Sequence, residues 1–87
     1  MSEHEVTKAE VFAVVQGNIL GILTKLAPED VRPEVSMRTL GANSIDRVDV
    51  IVKSMADLTL KIPLMEFSNV SSIGELVDVF YEKMRVK

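Results

Sequence analysis

The stretch LGANSIDRVDVIVKSMADL, residues 40–58, decides how this chain folds. A Gly-Ala-Asn turn leads into apolar and acidic residues at helical spacing. Asn43 is a good helix N-cap, and Asp46, three residues on, is a short version of the capping-box acid. The spacing predicts a helix from Ser44 to about Leu58. Placed at 100° intervals, Leu58, Ile51, Met55, Val48, Val52, Ile45 and Ala56 fill an apolar arc of about 160°, opposite Asp49, Lys53, Asp46 and Asp57. A single core stripe needs an arc nearer ~100°. One edge of the arc is therefore expected to face solvent, either as the surplus of an over-hydrophobic core helix or as a strip that a partner reads.

Working outward, Thr7 and Glu10 have capping-box spacing, and Val11, Val15, Ile19, Ile22, Leu23 and Leu26 follow at helical intervals, which predicts a first helix from about Lys8 to Leu26. Gly17 and Gly21 weaken that helix by roughly 1 kcal/mol each relative to Ala, so they are expected to permit close helix approach. APEDVRPEVSMRTLGA, residues 27–42, has two prolines and no sustained period, and reads as a long ordered loop anchored by Val31, Val35, Met37 and Leu40. KIPLMEFSNV reads as a second loop with a short helical turn near Met65 to Ser68, the proline resisting continuation of the helix before it. Ser72 and Glu75 form another capping box, opening a helix from Ile73 to about Met84 with Leu76, Val77, Phe80 and Met84 inward. The expected fold is all-α, a bundle of three main helices and one short one with a long first loop.

At 87 residues the chain is read as a single domain over 1–87, with residues 1–6 a frayed tail. A hydrophobic content of 47% with 26% charged residues excludes a disordered chain, and with only Phe12, Phe67, Phe80 and Tyr81 as aromatics the core falls to Val, Ile, Leu and Met. The net charge of −3 is spread evenly, with six acids and four bases up to Ala42 and seven and six after it. No basic stripe points to nucleic acid or an anionic membrane. No apolar stretch approaches a bilayer span and MSEHEVTKAE is acidic rather than signal-like, so a cytoplasmic monomer is expected.

Enzyme chemistry finds little purchase. The chain has no cysteine, its one histidine, His4, lies in the polar tail, and no metal-binding, phosphate-loop or nucleophile-elbow motif occurs. Neither catalytic residues nor metal ligands are expected. Ser44 remains a cap, a nucleophile or a point of attachment. At the first helical position it would face solvent beside free backbone N–H groups and the positive end of the helix dipole, which tolerate a phosphate ester, although Asp46 and Asp49 oppose one.

LGANSIDRVDVIV resembles the start of helix two in acyl carrier proteins, where a Leu-Gly-x-Asp-Ser-Leu stretch holds the serine that receives 4'-phosphopantetheine. APEDVRPEVSMRTLG is similar to that family's long first loop, KIP to the segment before helix three, and SNVSSIGELVDVF to the start of the last helix. Together they span residues 7 to 84. The resemblance implies an acyl-carrier-like four-helix bundle with no catalytic activity, Ser44 as the attachment point, and a cofactor whose thiol carries an acyl thioester. It implies partner recognition by Ile45, Arg47, Val48 and Val52, and puts Val50, Ile51, Ser54 and Leu58 on the core side. Expected partners are a phosphopantetheinyl transferase, ketosynthase-like or HMG-synthase-like enzymes, and acyltransferases.

Two departures narrow it. Asn43 replaces the usual aspartate, keeping the cap while losing a charge that modifying transferases contact. Arg47 and Lys53 leave residues 43 to 58 with three acids against two bases, which is less acidic than in fatty-acid carriers and closer to a polyketide carrier. GANSIDRVDVIV with LTLKIPLMEF and IGELVDVF is similar to free-standing β-branching carriers that donate acetyl to an HMG-CoA-synthase-like enzyme. Branch acceptors often have tryptophan six positions after the serine, where this chain has Val50. The alternatives are a peptidyl or aminoacyl carrier of a nonribosomal pathway, and an unmodified helical interaction adaptor.

Overall fold

The computed structural model describes residues 6–85, and three helices carry it: α1 (Lys8–Ile22), α2 (Ser44–Leu58) and α3 (Ile73–Arg85). Two short 3-10 turns, Pro28–Asp30 and Leu64–Phe67, lie in the connections. His4 and the rest of residues 1–5 lie outside the described residues; Val6, also assigned to the tail, packs against the core.

α1 starts at its box, with Thr7 Oγ1 accepting from the Glu10 N–H at 3.2 Å and Glu10 Oε1 accepting from the Thr7 N–H at 2.9 Å. Val11, Val15 and Ile19 are fully buried, and the helix packs on both α2 and α3. It ends at Ile22, four residues before the predicted Leu26. Leu23 caps it through an N–H bond to the Ile19 carbonyl, and a turn brings the Leu26 N–H to the Leu23 carbonyl. Leu23 and Leu26 still pack against the core, so their spacing reports burial rather than helix. The expectation for Gly17 and Gly21 fails too. Both are exposed, and a Cβ at either would meet nothing within 4 Å, so no neighbouring helix uses the space.

The long loop is tied down at several points. Asp30 Oδ2 accepts from the Ala27 N–H at 2.8 Å, closing a short 3-10 turn inside the loop. Val31 and Met37 are buried, and Val35 and Leu40 half-buried against the core. The first N–H groups of α3 then bond the loop backbone, Ile73 to the Val35 carbonyl and Gly74 to the Pro33 carbonyl, each at 2.8 Å. A Cβ on Gly74 would sit 3.1 Å from the Pro33 oxygen, so this docking requires glycine or a shift of the loop. The orphan donors of a helix start thus hold the loop in place.

After α2 the chain turns at Thr59, whose φ of 57° is left-handed, an unusual conformation for a β-branched residue. The Leu60 N–H reaches the Met55 carbonyl at 2.8 Å across this cap. The second 3-10 turn begins one residue earlier than predicted, because Pro63 supplies its preorganised N-cap. Phe67, from that turn, meets Phe80 of α3 with ring centroids 5.4 Å apart and planes tilted by 54°. Lys83–Glu66 at 2.9 Å and Lys8–Asp78 at 3.0 Å are exposed pairs, each worth ~0–1 kcal/mol.

α3 keeps its predicted start. Ser72 Oγ accepts from the Glu75 N–H at 3.1 Å, while Glu75 Oε1 accepts from the Ser71 N–H at 2.7 Å, the Ser71 hydroxyl at 2.9 Å and the Ser72 N–H at 3.3 Å. The Ser71 backbone bond, then its hydroxyl and the Ser72 N–H, hold the Glu75 carboxyl below its ordinary value. A depressed carboxylate stabilises the fold above its unfolded pKa and loses that contribution as pH falls through the folded one. Glu75→Gln should therefore flatten the loss of thermal stability on acidification through and below the usual glutamate range, read by circular dichroism melts across pH. Phe80 and Leu76 are fully buried, so Phe80→Ala or Leu76→Ala should cost about 2–5 kcal/mol in urea unfolding.

Candidate functional site

Ser44 is the first residue of α2, exposed, at the end of a turn that several bonds make rigid. Gly41 has φ 101°, a conformation that disfavours other residues, and the N–H groups of Gly41 and Ala42 reach the carbonyls of Arg38 and Met37 at 3.0 Å. Ala42 is buried and fixes the turn to the core. Asn43 Oδ1 accepts from the Asp46 N–H at 2.8 Å, and Asp46 Oδ2 accepts from the Asn43 N–H at 3.2 Å, the reciprocal box read from the sequence. The capping position is thus taken by Asn43, and Ser44 is left to face solvent at the positive end of the dipole. Among the described residues no side chain bonds its hydroxyl.

Arg47, a half-buried residue, donates from its guanidinium to the Ala42 carbonyl at 3.3 Å and so braces the turn before Ser44. Ile45, Val48 and Val52 do stand out, at 73%, 42% and 47% exposed. The sequence analysis did not single out Leu64 and Met65, the other large exposed apolar residues among those described, because a four-residue turn is too short to show a period. Beyond Val52 a groove of about 520 Å³ opens between Met55 and Ala56 of α2 and Leu60, Ile62 and Pro63 of the following loop, with Lys61 also lining it. The Ile62 N–H donates to Met55 Sδ at 3.4 Å across it.

The buried side of α2 consists of Val50, Ile51 and Ser54, with Leu58 half-buried. It is turned roughly 110° from the middle of the apolar arc. Ser54, fully buried, accepts from the Asn18 side-chain amide at 3.0 Å, and the same amide donates to Asp57 Oδ2 at 3.1 Å. The partner of Ser54 is thus a side chain of α1. Sequence reasoning passed over Asn18, although it falls on the stripe of Val11 and Val15, seven and three residues on. A polar residue there, facing a polar Ser54, was the available signal.

The family description "Phosphopantetheine attachment site" matches residues 18–80. The chain belongs to the acyl carrier protein family. It is 41% identical over 78 residues to "Polyketide biosynthesis acyl-carrier-protein AcpK" of Bacillus subtilis (strain 168), covering 90% of this chain and 95% of that one. Its fold matches a chain of the crystal structure of the curacin biosynthetic pathway HMG synthase in complex with acetyl donor-ACP, with a TM-score of 0.82 and 31% identity over 88% of this chain and 99% of that one. As a member of this family the chain is a carrier rather than a catalyst, and its cofactor is 4'-phosphopantetheine. That group supplies a thiol on which acyl groups are held as thioesters. The residues present fit it: Ser44 offers an exposed hydroxyl and the first turn of α2 offers unpaired N–H donors toward a phosphodiester. Among the described residues no helix is long and apolar enough to cross a membrane.

Removing Asn18 would strand a buried hydroxyl. Asn18→Ala should cost about 1–3 kcal/mol, whereas Asn18→Leu with Ser54→Ala should recover most of it. A double-mutant cycle in urea reads the coupling.

Proposed function

We propose that this chain is a discrete carrier of polyketide or related secondary metabolism, modified at Ser44, which donates a short acyl group such as acetyl to an HMG-synthase-like enzyme during β-branching. The observation that carries the reading is the placement of Ser44, exposed at a rigid, capped helix start, directly ahead of the apolar strip of Ile45, Val48 and Val52. Two similarities support the pathway: one relative is named for polyketide biosynthesis, and the other structure is titled as an acetyl donor bound to an HMG synthase. The matched chain of that complex is covered almost end to end by this short one, as suits its carrier.

In this reading Asn43 and Asp46 hold the helix start, Arg47 and Ala42 hold the turn, and neither set performs chemistry. Ile45, Val48 and Val52 supply the apolar contact by which the enzyme docks before it reaches the thioester. With Asp46, Arg47, Asp49 and Lys53 nearby, the charge around that contact is mixed, which favours a partner that is not strongly basic there. A phosphopantetheinyl transferase loads the serine, and an acyltransferase or ketosynthase-like enzyme supplies the cargo.

Incubation with coenzyme A and a broad-specificity phosphopantetheinyl transferase should add one cofactor by intact mass, and Ser44→Ala should abolish the increase. Ile45→Asp and Val48→Asp should each weaken binding of the loaded chain to an HMG-synthase-like partner about tenfold or more, at unchanged thermal midpoint. An increase that survives Ser44→Ala would overturn the assignment.

A further inference from the structure

Of the four arginines in the chain, two answer a carboxylate: Arg32 pairs with Glu34 at 3.4 Å and Arg85 with Glu82 at 3.5 Å. Arg38 and Arg47 pair with no carboxylate among the described residues, and both line one cleft of about 380 Å³ between the first turn of α2, the long loop and the residues leading into α3. Ser36, Ser71 and Ser72 belong to the same wall, and no acidic residue does. Two like charges sharing a hollow disfavour each other, so an anion placed there gains from both. Arg47 is already oriented. It uses one donor on the Ala42 carbonyl, two residues before Ser44, and keeps the rest of its fork of N–H groups for a ligand. Counted at ~100° per residue, Ser44 falls between Arg47 on one flank of α2 and the strip of Ile45, Val48 and Val52 on the other.

We propose that Arg47 and Arg38 form a phosphate site that holds the phosphodiester of the prosthetic arm. This rests on Ser44 being the attachment point. Guanidinium–phosphate bonds are charge-assisted, and the planar fork suits the spacing of phosphate oxygens. Asp46 and Asp49 oppose a phosphate ester at Ser44, and the two arginines offset them. Asp46 is moreover engaged on the Asn43 N–H at 3.2 Å, which ties its carboxylate to the cap. Both arginines are positioning residues: they draw the root of the arm to the flank away from Ile45, Val48 and Val52. The strip is thereby left open to a partner.

Nitrogen-labelled chain compared before and after loading from coenzyme A, with loading checked by intact mass, tests this by NMR. The guanidinium Nε–H signals of Arg38 and Arg47 should move on loading, while those of Arg32 and Arg85 stay in place. In the loaded chain the phosphorus signal should move with Arg38→Gln, a change that removes no hydrogen bond or ion pair among the described residues, and move further when Arg47→Gln is added. Lys53→Gln, which takes the same charge from an exposed position farther along α2, should leave that signal where it is. Failure to load at Ser44 would overturn the attachment and this site together. A fully loaded chain in which either Arg38 or Arg47 keeps its unloaded signal would overturn this site alone. So would a phosphorus signal indifferent to both arginine changes, or one that Lys53→Gln moves as far as they do.

Discussion

The rotation of α2 about its own axis is the constraint on which the rest depends, and the buried bond between Asn18 and Ser54 fixes it. A helix with an apolar arc as wide as this one has several ways to face a core of Val, Ile and Leu, because dispersion and burial discriminate poorly between similar aliphatic faces. A buried hydroxyl does discriminate. In this orientation it accepts from the Asn18 amide, and a rotation that buries it elsewhere loses that bond. With Ser54 held against α1, Val50 and Ile51 are committed to the interior, and Ile45, Val48 and Val52 are committed to water.

That commitment places the serine proposed as the attachment point. Ser44 lies at the start of a helix whose rotation is set ten residues downstream, and whose first turn is held from the other side by the Ala42 anchor and the Arg47 brace. The hydroxyl is presented by a stiff element rather than a wandering loop, so under the proposed attachment the arm would have a defined root. The net charge of −3 is spread without a strong pole.

Most of this was legible in the sequence where the signal is local. The starts of α1, α2 and α3 follow from reciprocal caps, which need only a few consecutive residues and are met within the chain itself. The end of α1 was not legible, because Leu23 and Leu26 keep helical spacing in a turn that also buries them. Nor did periodicity alone locate the core face of α2: Val50 follows Asp49 and Ser54 is polar, so the truly buried side reads as half hydrophilic. The family resemblance supplied that face correctly, and with it the exposed strip. The bond from Arg47 to the Ala42 carbonyl was not legible, since a nearby carbonyl across a turn leaves no mark in a helical projection.

The bonds from Ile73 and Gly74 to the loop carry a consequence for how the attachment turn can be moved or altered. Residues 33 to 35 are held by the start of a helix that comes about forty residues later in the chain, with little room for a side chain at the contact. The turn before Ser44 is therefore not a portable tag. Grafted into another bundle it would keep its Asn43 cap but lose the backbone it leans on. An insertion between Pro33 and Val35 would be felt at the start of α3, whereas one near the exposed Glu29 would fall outside the span that α3 holds.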